Sequence, residues 1–213
     1  MTSESGPRSW SHLVIIGGGL VMIALWPLFT ALHGPTSVNE DGHWLGQDPL
    51  FWGSILSALP SLLIASGLLA QYPLLAVGGG GTARWGYRLV MVALVVPAVV
   101  DLVMLALGPP LLLPLSVAGL VLLAVGQRSN PAVPRSSRLA LLSMGILSFL
   151  ALVWAAFLPL DVSDRLYGYR IYGFVVYVLV GAGWVVLGAS LPRTSGPESG
   201  VASRRWRRRS ARA

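Results

Sequence analysis

Hydrophobic and polar positions segregate along this chain into six apolar stretches, 13–32, 50–70, 89–107, 111–125, 139–160 and 171–191, joined by short polar connections. A helix that crosses a hydrocarbon core of about 30 Å needs roughly 20 apolar residues, since each backbone N–H and C=O must find its partner within the segment. Five of the stretches have 19 to 22 residues and the fourth has 15. The pattern predicts an all-α integral membrane protein, a bundle of six transmembrane helices. Gly108, Pro109 and Pro110 leave only a tight turn between the third and fourth stretches, which are expected to form a hairpin. The first stretch, at 20 residues, exceeds the roughly 7–15 of a signal-peptide core, so it is read as a retained helix.

Composition agrees with lipid as the main solvent. Hydrophobic residues make up 54% of the 213 positions and charged residues 11%, against roughly 25% charged in a soluble domain. The connections are too short to build a second core, so the expected organisation is a cytoplasmic N-terminal segment (1–12), one membrane domain (13–191) and a disordered basic cytoplasmic tail (192–213). All 15 basic residues are Arg, with no Lys and no Cys. Schiff-base chemistry, thiolate nucleophiles, disulfide exchange and iron–sulfur ligation are thereby excluded. No cofactor is expected.

The arginines add an orientation. Arg8, Arg84, Arg88, Arg128, Arg135, Arg138, Arg193 and the tail arginines fall on one side of a six-span topology, 13 in all, and only Arg165 and Arg170 on the other. The positive-inside rule makes the richer side cytoplasmic, which predicts a plasma-membrane protein with both termini inside. Trp10, Tyr72, Trp85 and Tyr87 fit an inner aromatic belt, and Trp44, Trp52, Tyr167 and Tyr169 an outer one.

Gly78 to Gly81 read as a flexible connector, because the strand, helix start and Lys of a phosphate loop are missing. Arg204, Arg205, Trp206, Arg207, Arg208 and Arg209 form a tail suited to anionic lipid headgroups at the cytoplasmic face; no specific nucleic acid is expected. Gly53, Ser57, Ser61 and Ala65 on the second span, and Gly173, Gly181, Gly183 and Gly188 on the sixth, are expected to let helices approach closely. The halves show no inverted repeat.

Asp101 is the one ionisable residue well inside a span. Twelve residues from Leu89, it sits about 18 Å along the helix, just beyond the midplane on the outer side. A carboxyl group there requires partners. Counting inward from the outer ends of the other spans gives Trp26, Ser57, Ser116, Trp154 and Tyr177 at similar depth. These define a candidate proton- or ligand-binding layer, although for Asp101 the first expectation is a protonated carboxyl that clamps helices together, with the binding site as the alternative. Pro97, one turn earlier, removes the hydrogen bond to the Ala93 carbonyl and predicts a bend in a third helix placed at the centre of the bundle.

In the first outer loop, His33, His43, Glu40 and Asp41 offer ligands for a divalent cation, although without a recognised spacing. The zinc-protease His pair and the serine elbow of hydrolases do not occur. The expectation is a non-enzymatic accessory subunit that packs against a membrane-protein partner or a second copy. The alternative is a small proton- or cation-coupled transporter or ligand-binding protein using Asp101. An enzyme acting at the outer face ranks third.

Overall fold

A computed structural model describes residues 10–33, 46, 49–104, 112–157 and 171–192. Among these every regular element is helical. The helices are α1 (Ser11–His33), α2 (Pro49–Ala70), α3 (Gly80–Met104), α4 (Leu113–Gly126), α5 (Arg135–Ala156) and α6 (Ile171–Ser190), whose segment Phe174–Leu179 is π-helical. Three are long and apolar enough to cross a membrane: α3, α5 over Arg135–Trp154, and α6. The others carry described apolar stretches of Ser11–Pro27, Ser57–Ala70 and Leu113–Ser129.

Each predicted apolar stretch coincides with one helix, and the largest shift is at the start of α3. Hydropathy places that start at residue 89, but the helix begins at Gly80. The polar turns that carry Arg84 and Arg88 are helical because backbone hydrogen bonding within a helix does not depend on side-chain hydropathy.

Each helix packs against its neighbours in sequence, and α6 returns to pack against α1. The bundle is therefore a closed ring of alternating helices. The third helix is a member of this ring between α2 and α4, not its centre as the sequence suggested, and it exposes Val92, Val96, Val99 and Val103 along one face.

Backbones meet where a side chain would not fit. A Cβ on Gly119 would lie 2.8 Å from the Val90 nitrogen, and one on Gly126 would lie 2.5 Å from the Ala83 nitrogen, which seals α4 against α3. Gly67 of α2 would meet the Ser11 carbonyl at 2.9 Å, and Gly19 the Gly181 carbonyl at 2.7 Å, so α1 is held on both sides. Small residues let helix backbones approach this closely. The expected role of Gly181 and Gly188 in packing is met at α1.

The apolar core draws on all six helices but lies towards the end that carries Arg84, Arg88, Arg128, Arg135 and Arg138, here called the basic end. It includes Ile15, Leu68, Val90, Leu123, Leu141, Met144, Trp184 and Leu187. Above it, at the basic end itself, hydrogen bonds tie the ring together. Gln71 Nε2 donates to Ser11 Oγ at 2.6 Å, and Ser137 and Ser190 hydroxyls pair at 2.8 Å. Gln127 Nε2 donates to the Leu75 carbonyl, and Asn130 Nδ2 donates to Gln127 Oε1 and to the Leu74 carbonyl.

The glycine run belongs to this stapled end and is not an open connector. The Gly78 N–H donates to the Pro73 carbonyl of a π-helical turn, Pro73–Val77, and a Cβ on Gly79 would lie 2.6 Å from Gln127 Nε2. Gly80 has φ +78°, a left-handed conformation that a side chain disfavours, and it starts α3.

Candidate functional site

Asp101 sits 21 residues into α3, so it lies in the half of the ring away from the basic end. It is 7% exposed and is the one carboxylate among the described residues. Ser57, on the facing side of α2, donates its hydroxyl to Asp101 Oδ2 at 2.9 Å. The same Ser57 oxygen lies 3.1 Å from the Ser54 carbonyl of its own helix. Ser57 has one hydroxyl proton and so stands between two acceptors, either of which can take it.

The neighbouring groups come from the other side. Tyr177 of α6 is close enough to interact electrostatically with Asp101. Trp26 of α1 lays its ring directly against the backbone of Gly173, one turn before Tyr177, at a place where any side chain on residue 173 would collide with the indole. The small residue on α6 thus provides the space that the large one on α1 fills.

Of the layer inferred from depth, Ser57 is hydrogen-bonded to Asp101, Tyr177 lies within electrostatic range of it, and Trp26 lies against the same stretch of α6 as Tyr177. Ser116 is half-buried on α4 and is not hydrogen-bonded to Asp101. Trp154 is 46% exposed on α5. Residue counts along a helix do not give the rotation of that helix.

The stripe on α2 also divides. Ser61 donates back to the Ser57 carbonyl at 3.2 Å and Ala65 is buried, while Ser57 turns to α3. At the basic end Trp10, Tyr72 and Trp85 are exposed, as an interfacial belt requires, and the Arg88 guanidinium lies 5.1 Å from the Trp85 ring centre. Tyr87 departs from the belt. It is buried at 4% exposure, edge-on to Tyr72, and its hydroxyl has no partner among the described residues.

The proposed metal ligands His43, Glu40 and Asp41, the side chain of His33, and the tail from Arg204 to Arg209 lie outside the described residues. So do the outer-belt residues Trp44, Tyr167 and Tyr169. No cluster of three or more His, Cys, Asp or Glu occurs among the described residues.

Sequence reading missed the amides Gln71, Gln127 and Asn130. Their signal was available: they are uncharged hydrogen-bonding residues at the ends of apolar stretches, among loops whose other long polar side chains are arginines. Comparison with known protein families, with curated proteins and with solved structures finds no match.

Proposed function

We propose that this chain is a six-span plasma-membrane protein with both termini in the cytoplasm, and that Asp101 is its proton- or cation-binding group. The observation that carries this reading is the position of the Ser57 hydroxyl, 2.9 Å from Asp101 Oδ2 and 3.1 Å from the Ser54 carbonyl. While Asp101 is ionised, Ser57 donates to the carboxylate. On protonation the carboxyl O–H donates to Ser57 Oγ, and the Ser57 proton turns to the Ser54 carbonyl. Both states are hydrogen-bonded, so a proton can arrive and leave without stranding a buried polar group, which a fixed clamp does not need. Tyr177, and Trp26 against the adjacent turn of α6, supply aromatic surface suited to an organic cation that displaces the proton. The apolar core at the basic end supports binding and exchange from the other end over an open channel.

The test is infrared spectroscopy of the protein in liposomes. A carboxylic C=O band that comes and goes with pH in wild type is expected to be missing in Asp101→Asn. Tetraphenylphosphonium, used as a probe cation, is expected to release a proton from wild type only. A band unmoved by both pH and cation would leave Asp101 as a clamp.

The second reading, an accessory subunit without enzymatic activity, is favoured by the outward row of Val92, Val96, Val99 and Val103 on α3. These stiff side chains lose little rotamer freedom when they pack on another helix. A stoichiometric second protein that leaves when Val96 and Val99 become Phe would support it.

A further inference from the structure

At the basic end, α4 and α5 diverge around a cleft of about 270 Å³. Arg128 from the turn that follows α4 and Arg135 and Arg138 from the first turn of α5 line its polar side, and Val125, Leu139 and Leu142 its apolar side. Three arginines thus line one cleft to which no described residue supplies a carboxylate, since Asp101 is at the far end of α3. Arg138 Nη1 donates to the Arg128 carbonyl at 3.1 Å, which fixes one guanidinium in place, and its Nε is buried with no partner among the described residues. By contrast, Arg88 at the same end lies over the Trp85 ring.

We propose that this cleft binds the phosphate of an anionic phospholipid. Guanidinium forks match phosphate oxygens two at a time, and arginines clustered in one cleft are stabilised by an anion. The first turn of α5 adds N–H groups that have no earlier carbonyl in their helix and receive no side-chain cap from Pro134. The apolar side of the cleft decides between a lipid and free phosphate. Leu139 and Val125 are exposed directly beside the arginines, on the surface that continues along the helices, so an anion seated here has a path for an acyl chain. The inference rests on the membrane reading and is independent of Asp101.

The experiment is native mass spectrometry of the full chain released from vesicles of phosphatidylglycerol or of phosphatidylcholine. Wild type is expected to retain phosphatidylglycerol and not phosphatidylcholine. Arg128→Gln with Arg135→Gln, which spares Arg138 and its bond, is expected to cut retention at least tenfold. Arg84→Gln with Arg88→Gln removes the same charge outside the cleft and is expected to leave retention unchanged. The charge-preserving pair Arg128→Lys with Arg135→Lys, which loses only the forks, is expected to retain less lipid than wild type.

Equal losses in the two Gln pairs would reduce the effect to surface charge and overturn the site. Retention of inorganic phosphate in place of lipid would overturn the lipid assignment. Protein that never enters the vesicles would overturn the membrane reading and this inference with it, whereas inserted protein without bound lipid would overturn this inference alone.

Discussion

At the scale of single residues, the Ser57–Asp101 contact is the bond on which the proposed chemistry turns. Hydrogen bonds between membrane helices average about 0.6 kcal/mol and reach about 1.7. A double-mutant cycle of Ser57→Ala and Asp101→Leu, which removes the acceptor, read by unfolding in detergent, is expected to return a coupling within that range. Zero coupling would show that the two side chains do not act on each other. Tyr87 gives the opposite case. Its hydroxyl is buried without a partner among the described residues, and such a group costs about 1–3 kcal/mol in lost hydration. Tyr87→Phe keeps the ring and its edge-on contact with Tyr72. It is expected to raise stability by up to about 1 kcal/mol on the same scale, and a loss of stability would reveal a partner for that oxygen.

At the scale of elements, glycines divide by what their missing side chains would meet. Gly119 faces the backbone of α3 at Val90, which cannot move aside as a flexible side chain can. Gly119→Ala is expected to destabilise the protein by about 1–3 kcal/mol, the usual effect of overpacking. Gly17, inside α1 with nothing within 4 Å, makes the control. Gly17→Ala is expected to be neutral or to stabilise by about 0.5–1 kcal/mol through helix propensity. If both substitutions behaved alike in thermal unfolding, the close approach of α3 and α4 would not be a source of stability. The sequence stripes anticipated part of this. They singled out Gly181 and Gly188 and missed Gly19, Gly67, Gly119 and Gly126, because a lone glycine in an apolar run does not announce which neighbour it meets.

At the scale of the whole molecule, the absence of Cys makes the proposed topology directly testable with single introduced cysteines. A membrane-impermeant maleimide applied to intact cells is expected to label Ser37→Cys and Ser163→Cys. Thr82→Cys and Ser129→Cys, both exposed at the basic end, should be labelled only once the membrane is opened. Labelling of all four from outside would refute the orientation, and mixed labelling within one end would refute the six-span path.

The sequence by itself determined that the described residues are helical and where the six described helices lie, because a long apolar run leaves its backbone no hydrogen-bonding partner but itself. It also determined the charge asymmetry of the two ends and the level of Asp101. Only the tertiary structure decided that the helices close into a ring, that α3 stands in its wall, that Ser57 turns towards Asp101, and that three arginines share one cleft. The physical reason is rotation. Depth along a helix follows from residue count at a fixed rise, but facing follows from which small residues let which backbones approach, and that is a property of pairs of helices. In helices apolar on nearly every side, no hydrophobic stripe records the choice.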